Sequence, residues 1–443
     1  MTVGYGLLDA AAQLATGRLS AVELLDASLE RVRILEPEIH ALVTPTLDLA
    51  RRQAEQADRR RAAGATGPLL GIPVVVKDLI DVAGLPTTAG SKVLAGNIAH
   101  EHAAVWARLE EAGAVLVGKA NTHEFAYGGT TEPTRNPSDP SRIVGGSSGG
   151  PAAALAAGYC LGALGTDTAG SVRIPANLCG IAALKPSRGM VDATGVVPLS
   201  QTLDTVGPMA RNVADLDPLL RAMARLDHRP VAAPPLARVG VLPPSGSIDP
   251  AVAQAVDAAI VALEKLGAKA EPTVLEGFED SVFDNFTLMG YEAHRIHQAW
   301  ADKRDLYTPY VRDRLAEAAA VTRAQYDAAL EAGTRLRARI DRLFEEYDVL
   351  LVPGVPFPAC PAYDEQVLID GTLEDRDTGL CRNTGFANLT GHPALAVPAG
   401  LDGVLPVGVQ LVGRHGADLE LIALGAGLQG LLPPGLPEPL RLD

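Results

Sequence analysis

Apolar residues at Val22, Leu25, Leu29 and Val32 recur at spacings of three and four behind the capping-box pair Ser20 and Glu23, which predicts an amino-terminal helix closed by Pro37. A second, charged helix is expected over residues 47–63, ending near Gly64 and Gly67. The pattern then changes to Ile72-Pro73-Val74-Val75-Val76, a continuous apolar run that reads as a strand buried on both faces, with Lys77 directly behind it. Val105, Leu109 and Ala112 mark the next helix, stopped by Gly113, and residues 114–117 the next strand. This alternation predicts an α/β fold.

Between Gly145 and Gly207 the periodicity fades into Gly, Ser and Thr, with an Ala-rich helix expected around residues 151–157. Residues 227–235 carry three prolines and no period, so a connector between two halves is placed there. Beyond it a strand is expected over 239–242, and a helix runs from the cap Asp249-Pro250 to Gly267. A mainly helical, charged segment follows over 281–346, with further strands at 349–352, 394–397 and 407–412. The expected organisation is one domain over residues 1–443, with a helical layer at 1–63, a core at 64–226 and a second half at 237–443.

Composition narrows the class of function. With 47% hydrophobic and 21% charged residues, the 443-residue chain buries a large core. Its 38 Lys and Arg face 53 Asp and Glu, and the net charge of −15 repels nucleic acid and anionic lipid. No nucleic-acid or membrane partner is expected, and a homodimer is compatible with the composition. Acids at Asp9, Glu23, Asp26 and Glu30 without a basic, then apolar, leader exclude an ordinary signal peptide, so a cytoplasmic location is expected. Cys160, Cys179, Cys360 and Cys381 form no C-x-x-C, which argues against a disulfide framework or a zinc knuckle.

The chemistry concentrates in Gly145-Gly146-Ser147-Ser148-Gly149-Gly150 and Gly165-Thr166-Asp167-Thr168-Ala169-Gly170-Ser171. The first is no phosphate loop, because no lysine follows Gly150. It satisfies G-x-S-x-G at both Ser147 and Ser148, but a nucleophile elbow needs a preceding strand, and residues 134–141 are rich in Pro, Asn and Ser. Composition alone would make it a flexible loop. His123-Glu124 and His100-Glu101-His102 lack the H-E-x-x-H spacing, so no metal is expected. His294 and His297 are expected on a helix face beside the pocket.

Taken in order, Gly71-Ile72-Pro73-Val74-Val75-Val76-Lys77, the Gly/Ser loop and the segment ending at Ser171 resemble the amidase signature family. The likeness extends through Gly118-Lys119-Ala120-Asn121, Ala183-Leu184-Lys185-Pro186 and Asn388-Leu389-Thr390-Gly391-His392-Pro393. It implies a large central mixed sheet flanked by helices on both faces. It also implies Lys77 as base, Ser147 as a relay behind a cis peptide bond, Ser171 as nucleophile and a structural Ser148. Backbone N–H groups of Thr168, Ala169, Gly170 and Ser171 would form the oxyanion hole, with Ala169 standing where the family most often has glycine.

The physical logic agrees with these roles. A serine hydroxyl needs a base, a lysine accepts a proton only when neutral, and burial at the end of an apolar strand lowers a lysine pKa. Asp78 would pull the other way, and Lys119 and Lys185 are rival bases. Asp167 and Arg173 would hold the loop or bind a substrate carboxylate.

The expected activity is hydrolysis of a small carboxamide without a cofactor. One alternative is the A subunit of a tRNA-dependent amidotransferase, a glutaminase. Those subunits typically carry glutamine where Ile174 stands. Another alternative is a non-catalytic binding protein on the same fold. Pocket walls are expected from residues 124–131, 281–300 and 354–362.

Overall fold

The structure, a computed structural model, describes residues 6–227 and 229–436. In chain order its strands are β1 (Leu42–Pro45), β2 (Pro73–Lys77), β3 (Val115–Ala120), β4 (Gly162–Asp167), β5 (Ala182–Lys185), β6 (Thr205–Ala210) and β7 (Arg238–Val241). They continue with β8 (Lys269–Pro272), β9 (Val349–Pro353), β10 (Gln366–Ile369), β11 (Thr372–Asp375), β12 (Ala394–Asp402) and β13 (Leu405–Val412). Eleven of them form a single mixed sheet in the order β1-β3-β2-β4-β6-β5-β12-β13-β9-β7-β8, while β10 and β11 pair as a separate hairpin. The fold class is α/β, with helices packed around this sheet. Strands from before and after the proline-rich connector lie side by side in it, since β12 pairs with β5.

Three strands, β4, β5 and β6, lie in the Gly-, Ser- and Thr-rich stretch where periodicity predicted almost nothing regular. Every residue of each is buried, so neither face is polar and no alternation is written into the sequence. Close packing explains the glycine on β6: a Cβ at Gly207 would lie 2.3 Å from the Leu184 carbonyl oxygen.

The first predicted helix, Ala21–Ile39, has both halves of its capping box but does not stop at Pro37. The helix runs two residues past that proline, which removes one N–H donor from its last turn, and His40 ends it in the left-handed region at φ 54°. The charged helix Leu47–Ala62 buries only Ala50, Ala54 and Ala57, a stripe of small residues that lets it lie close against its neighbours.

The segment over 281–346 comprises Ser281–His297, Pro309–Ala318 and Arg323–Glu346, with a tighter 3-10 stretch Gln298–Leu306. Two carboxylates pin this layer to the sheet half. Glu124 accepts hydrogen bonds from Ser91 Oγ at 2.6 Å and Thr308 N at 2.8 Å. Glu292 accepts from Ser200 Oγ at 2.5 Å and Tyr326 Oη at 2.7 Å. Among the described residues no helix is long and apolar enough to cross a membrane.

Candidate active site

β2 and β4 are parallel neighbours, so Lys77 and Asp167, the last residue of each, leave the sheet at the same edge. Open α/β sheets bind ligands at such carboxyl ends. Lys77 is fully buried, and its Nζ lies 2.7 Å from Ser147 Oγ and 2.9 Å from Thr166 Oγ1. Burial pushes its pKa down to about 7, against the upward pull of Asp204 and Asp167. Asp78, expected to raise it, turns away: its carboxylate pairs with Lys119 at 2.9 Å and accepts from Thr88.

The rival lysines are as dry as Lys77. Burial also lowers the Lys185 pKa to about 7, but its Nζ donates to the Pro186 carbonyl. Lys119 Nζ donates to Pro86 O and Thr87 Oγ1 and faces Asp78. Desolvation does not separate the three; only Lys77 has a serine hydroxyl within reach.

The Gly146–Ser147 peptide bond is cis. The carbonyl of Ser147 accepts from His123 N at 3.2 Å and Thr131 Oγ1 at 3.0 Å, leaving its hydroxyl to Lys77. Ser148 is held differently. Its hydroxyl exchanges hydrogen bonds with the backbone of Thr166, and its N–H donates to the Ser171 carbonyl at 3.1 Å, tying the two loops together.

The turn carrying Ser171 is built on a buried ion pair. All five guanidinium N–H groups of Arg173 are engaged: two by Asp167 at 3.0 and 2.9 Å, and the others by Asn388, Thr384 O and Gln410. Burial raises the Asp167 pKa, but Arg173 outweighs it with help from Asn388 and holds the carboxyl at about 2. Anchoring therefore uses the whole of both groups. Replacing Arg173 by Met, which leaves Asp167 charged and unpaired, is expected to cost about 3–5 kcal/mol in denaturant unfolding. A shift below about 1 kcal/mol would show that the pair contributes no such support.

Asp167 also decides which N–H groups face the cavity. It accepts from Gly170 N at 2.9 Å and Val172 N at 3.2 Å. Thr168, Ala169 and Ser171 line the cavity, whereas the N–H of Gly170, expected among the oxyanion donors, donates to the Asp167 carboxylate. Ala169 is accommodated without a left-handed φ, its carbonyl accepting from Thr384 Oγ1 at 2.6 Å. Thr168 Oγ1 donates to Asp204 at 2.6 Å. Burial raises the Asp204 pKa to about 6 despite that hydrogen bond, those from Ser200 N and Leu199 N, and the charge of Lys77.

A cavity of about 310 Å³ opens beside Ser171. Its walls come from Ala126–Gly129, from Phe283, Phe286 and Gly290, and from Tyr310, Arg314 and Val321, with Asp377 and Cys381 closing it. Residues 354–362 do not line it, contrary to expectation. Their place is taken by the helix Pro309–Ala318, whose helical pattern says nothing of the side to which it folds. His294 and His297 lie, as expected, on a helix beside the cavity, Ser281–His297, whose Phe283, Phe286 and Gly290 form part of the wall. His297 packs edge-on against Phe125 and bonds Tyr307 Oη at 2.8 Å, and burial lowers its pKa to about 4. Among the described residues no cluster of His, Cys, Asp and Glu could hold a metal ion.

Sequence reasoning missed Thr166, Asp204 and Arg314, whereas Tyr127 falls in the wall expected at 124–131. Thr166 alone carried a signal, two residues before Thr168 within the motif itself.

A family model described as Amidase matches residues 23–422. The glutamyl-tRNA(Gln) amidotransferase A subunit of Chloroflexus aurantiacus is 38% identical, over 97% of this chain and 98% of its own. Among solved structures, one of an amidase superposes with a TM-score of 0.91 at 35% identity, covering 97% of this chain and 100% of its own. A structure described as a vestigial protein complex that reveals the evolutionary origins of an s-triazine catabolic enzyme gives 0.90 at 32% identity, covering 96% of this chain and 98% of its own.

Proposed function

We propose, on the premise that this chain belongs to the amidase family and acts on amide C–N bonds, that it hydrolyses a small carboxamide through Ser171, Ser147 and Lys77. The observation that carries this reading is the 2.7 Å contact of a fully buried, weakly basic Lys77 with Ser147 Oγ, beside a cavity lined by Ser171. Ser171 Oγ attacks the carboxamide carbon while its proton passes through Ser147 to neutral Lys77. The N–H groups of Thr168, Ala169 and Ser171 receive the oxyanion, where each well-placed donor contributes about 3–4 kcal/mol. Collapse expels the amine with the proton held by Lys77, and water releases the acid by the reverse relay. Every group in this sequence belongs to the protein, so no cofactor enters it.

The glutaminase reading has its own support in the curated relatives, which are amidotransferase A subunits 35–38% identical to this chain. Against it stands Ile174 at the position where those subunits typically carry glutamine. The two readings separate by assay. The purified chain alone is expected to release ammonia from small aliphatic or aryl carboxamides. If it hydrolyses none of them and releases ammonia from glutamine only when tRNA-dependent partner subunits are added, the glutaminase reading replaces the first.

A further inference from the structure

Tyr127 lies in the cavity wall at 7% exposure, and its hydroxyl has no hydrogen-bond partner among the described residues. Buried tyrosines usually satisfy that group. The backbone ahead of it is unusual: Phe125 and Ala126 stand in the left-handed region, at φ 50° and 61°. A Cβ disfavours that region, and such residues persist where the surroundings over-determine them, most often at functional sites.

The surroundings here do so. Phe125 N donates to Ala89 O at 2.7 Å, and its ring is held among His297, Trp300 and Tyr307 at centroid distances of 4.5 to 5.6 Å. Glu124 ties the same turn to Ser91 and Thr308.

The wall opposite is cut back. A Cβ built on Gly290 would sit 3.7 Å from Tyr127 Oη, so the helix Ser281–His297 presents its glycine to the phenol, and Ala318 of the neighbouring helix also lines the cavity. Arg314 and Glu317, both on the helix Pro309–Ala318 and both lining the cavity, act on Tyr127 with opposite sign. Burial holds the phenol pKa up at about 12, so it stays a neutral donor.

We propose that Tyr127 is a specificity-determining residue whose hydroxyl donates to a second, uncharged amide-type carbonyl on the substrate, remote from the carbonyl that Ser171 attacks. A carboxylate there would meet Glu317 as well as Arg314, whereas a carbonyl is indifferent to that balance. The proposal rests on the amide-hydrolysis reading, and it assigns the substrate class as amides bearing a second carbonyl.

The test uses butanediamide and butanamide, titrated calorimetrically into the Ser171→Ala protein and into Ser171→Ala/Tyr127→Phe. The first protein is expected to prefer the diamide. Tyr127→Phe, which keeps the ring and its packing, should lower the diamide-to-monoamide affinity ratio about fivefold, the equivalent of one net hydrogen bond. In the active enzyme Tyr127→Phe should raise KM for the diamide more than it changes kcat. An affinity ratio unchanged by the substitution, or no binding of the diamide to the Ser171→Ala protein, overturns the proposal. A diamide preference in binding that Tyr127→Phe lowers, together with no hydrolysis of either amide by the wild-type chain, would instead reject the hydrolysis reading and leave Tyr127 in place.

Discussion

Replacing Ser171 by alanine is expected to lower kcat by at least about 10⁴-fold and to abolish covalent labelling by a fluorophosphonate probe. The expectation follows from position. Ser171 is the hydroxyl of the three loop serines that lines the cavity, whereas Ser147 and Ser148 are fully buried. Ser147 is spent on Lys77, and Ser148 on the backbone of Thr166. Ser148→Ala should therefore keep the label and lose stability, because it removes the hydroxyl's two hydrogen bonds to the backbone of Thr166. Peptide mapping decides the matter: an adduct on Ser148, with the Ser171→Ala protein still active, would favour a G-x-S-x-G nucleophile and end the Ser-Ser-Lys assignment.

The second large effect is in the pH profile. In the proposed relay Lys77 accepts the Ser147 proton only in its neutral form, and burial brings its pKa to about 7. Below that value the ammonium predominates and kcat/KM falls with pH; above it the amine predominates and the profile levels. Between pH 6 and pH 8 the neutral fraction, and with it kcat/KM, should rise about tenfold. Lys77→Met, similar in length and uncharged, should cut activity by more than about 10³-fold and remove the rising limb, since no other base touches Ser147 among the described residues. Lys185→Met, which removes an equally depressed lysine bonded only to the Pro186 carbonyl, should leave the limb in place. A rising limb that survives Lys77→Met would assign the proton to another group.

Sequence alone was sufficient where information is local. The capping box at Ser20, the apolar run before Lys77 and the spacing of Ser147 and Ser171 are properties of neighbouring residues, and they point to the α/β class and the amidase resemblance. The same reading passed over β4, β5 and β6, which are buried on both faces without alternation and lack the continuous β-branched run that reveals β2. It placed His294 and His297 on a helix beside the pocket, where they are, but did not show what they meet, because helical spacing reports that residues share a face and not what that face packs against.

Only the tertiary structure distinguished the lysines. Lys77, Lys119 and Lys185 are each buried at or next to the carboxyl end of a strand, and in the sequence the family pattern alone told them apart. What separates them physically is the partner each one meets: a serine hydroxyl 70 residues away for Lys77, the carboxylate of Asp78 for Lys119, and only the adjacent Pro186 carbonyl for Lys185 among the described residues. The charges that oppose Lys77's low pKa are likewise distant in sequence, at Asp204 and Asp167, while adjacent Asp78 is neutralised elsewhere. The cavity walls were decided in the same way. Tyr127 and Arg314 stand in segments whose local pattern carries no motif, and they meet because buried Glu124 and Glu292 fasten the helical layer over the edge where β2 and β4 end. Contacts between elements far apart in sequence are set by how the elements pack, so they leave no short-range signature to read.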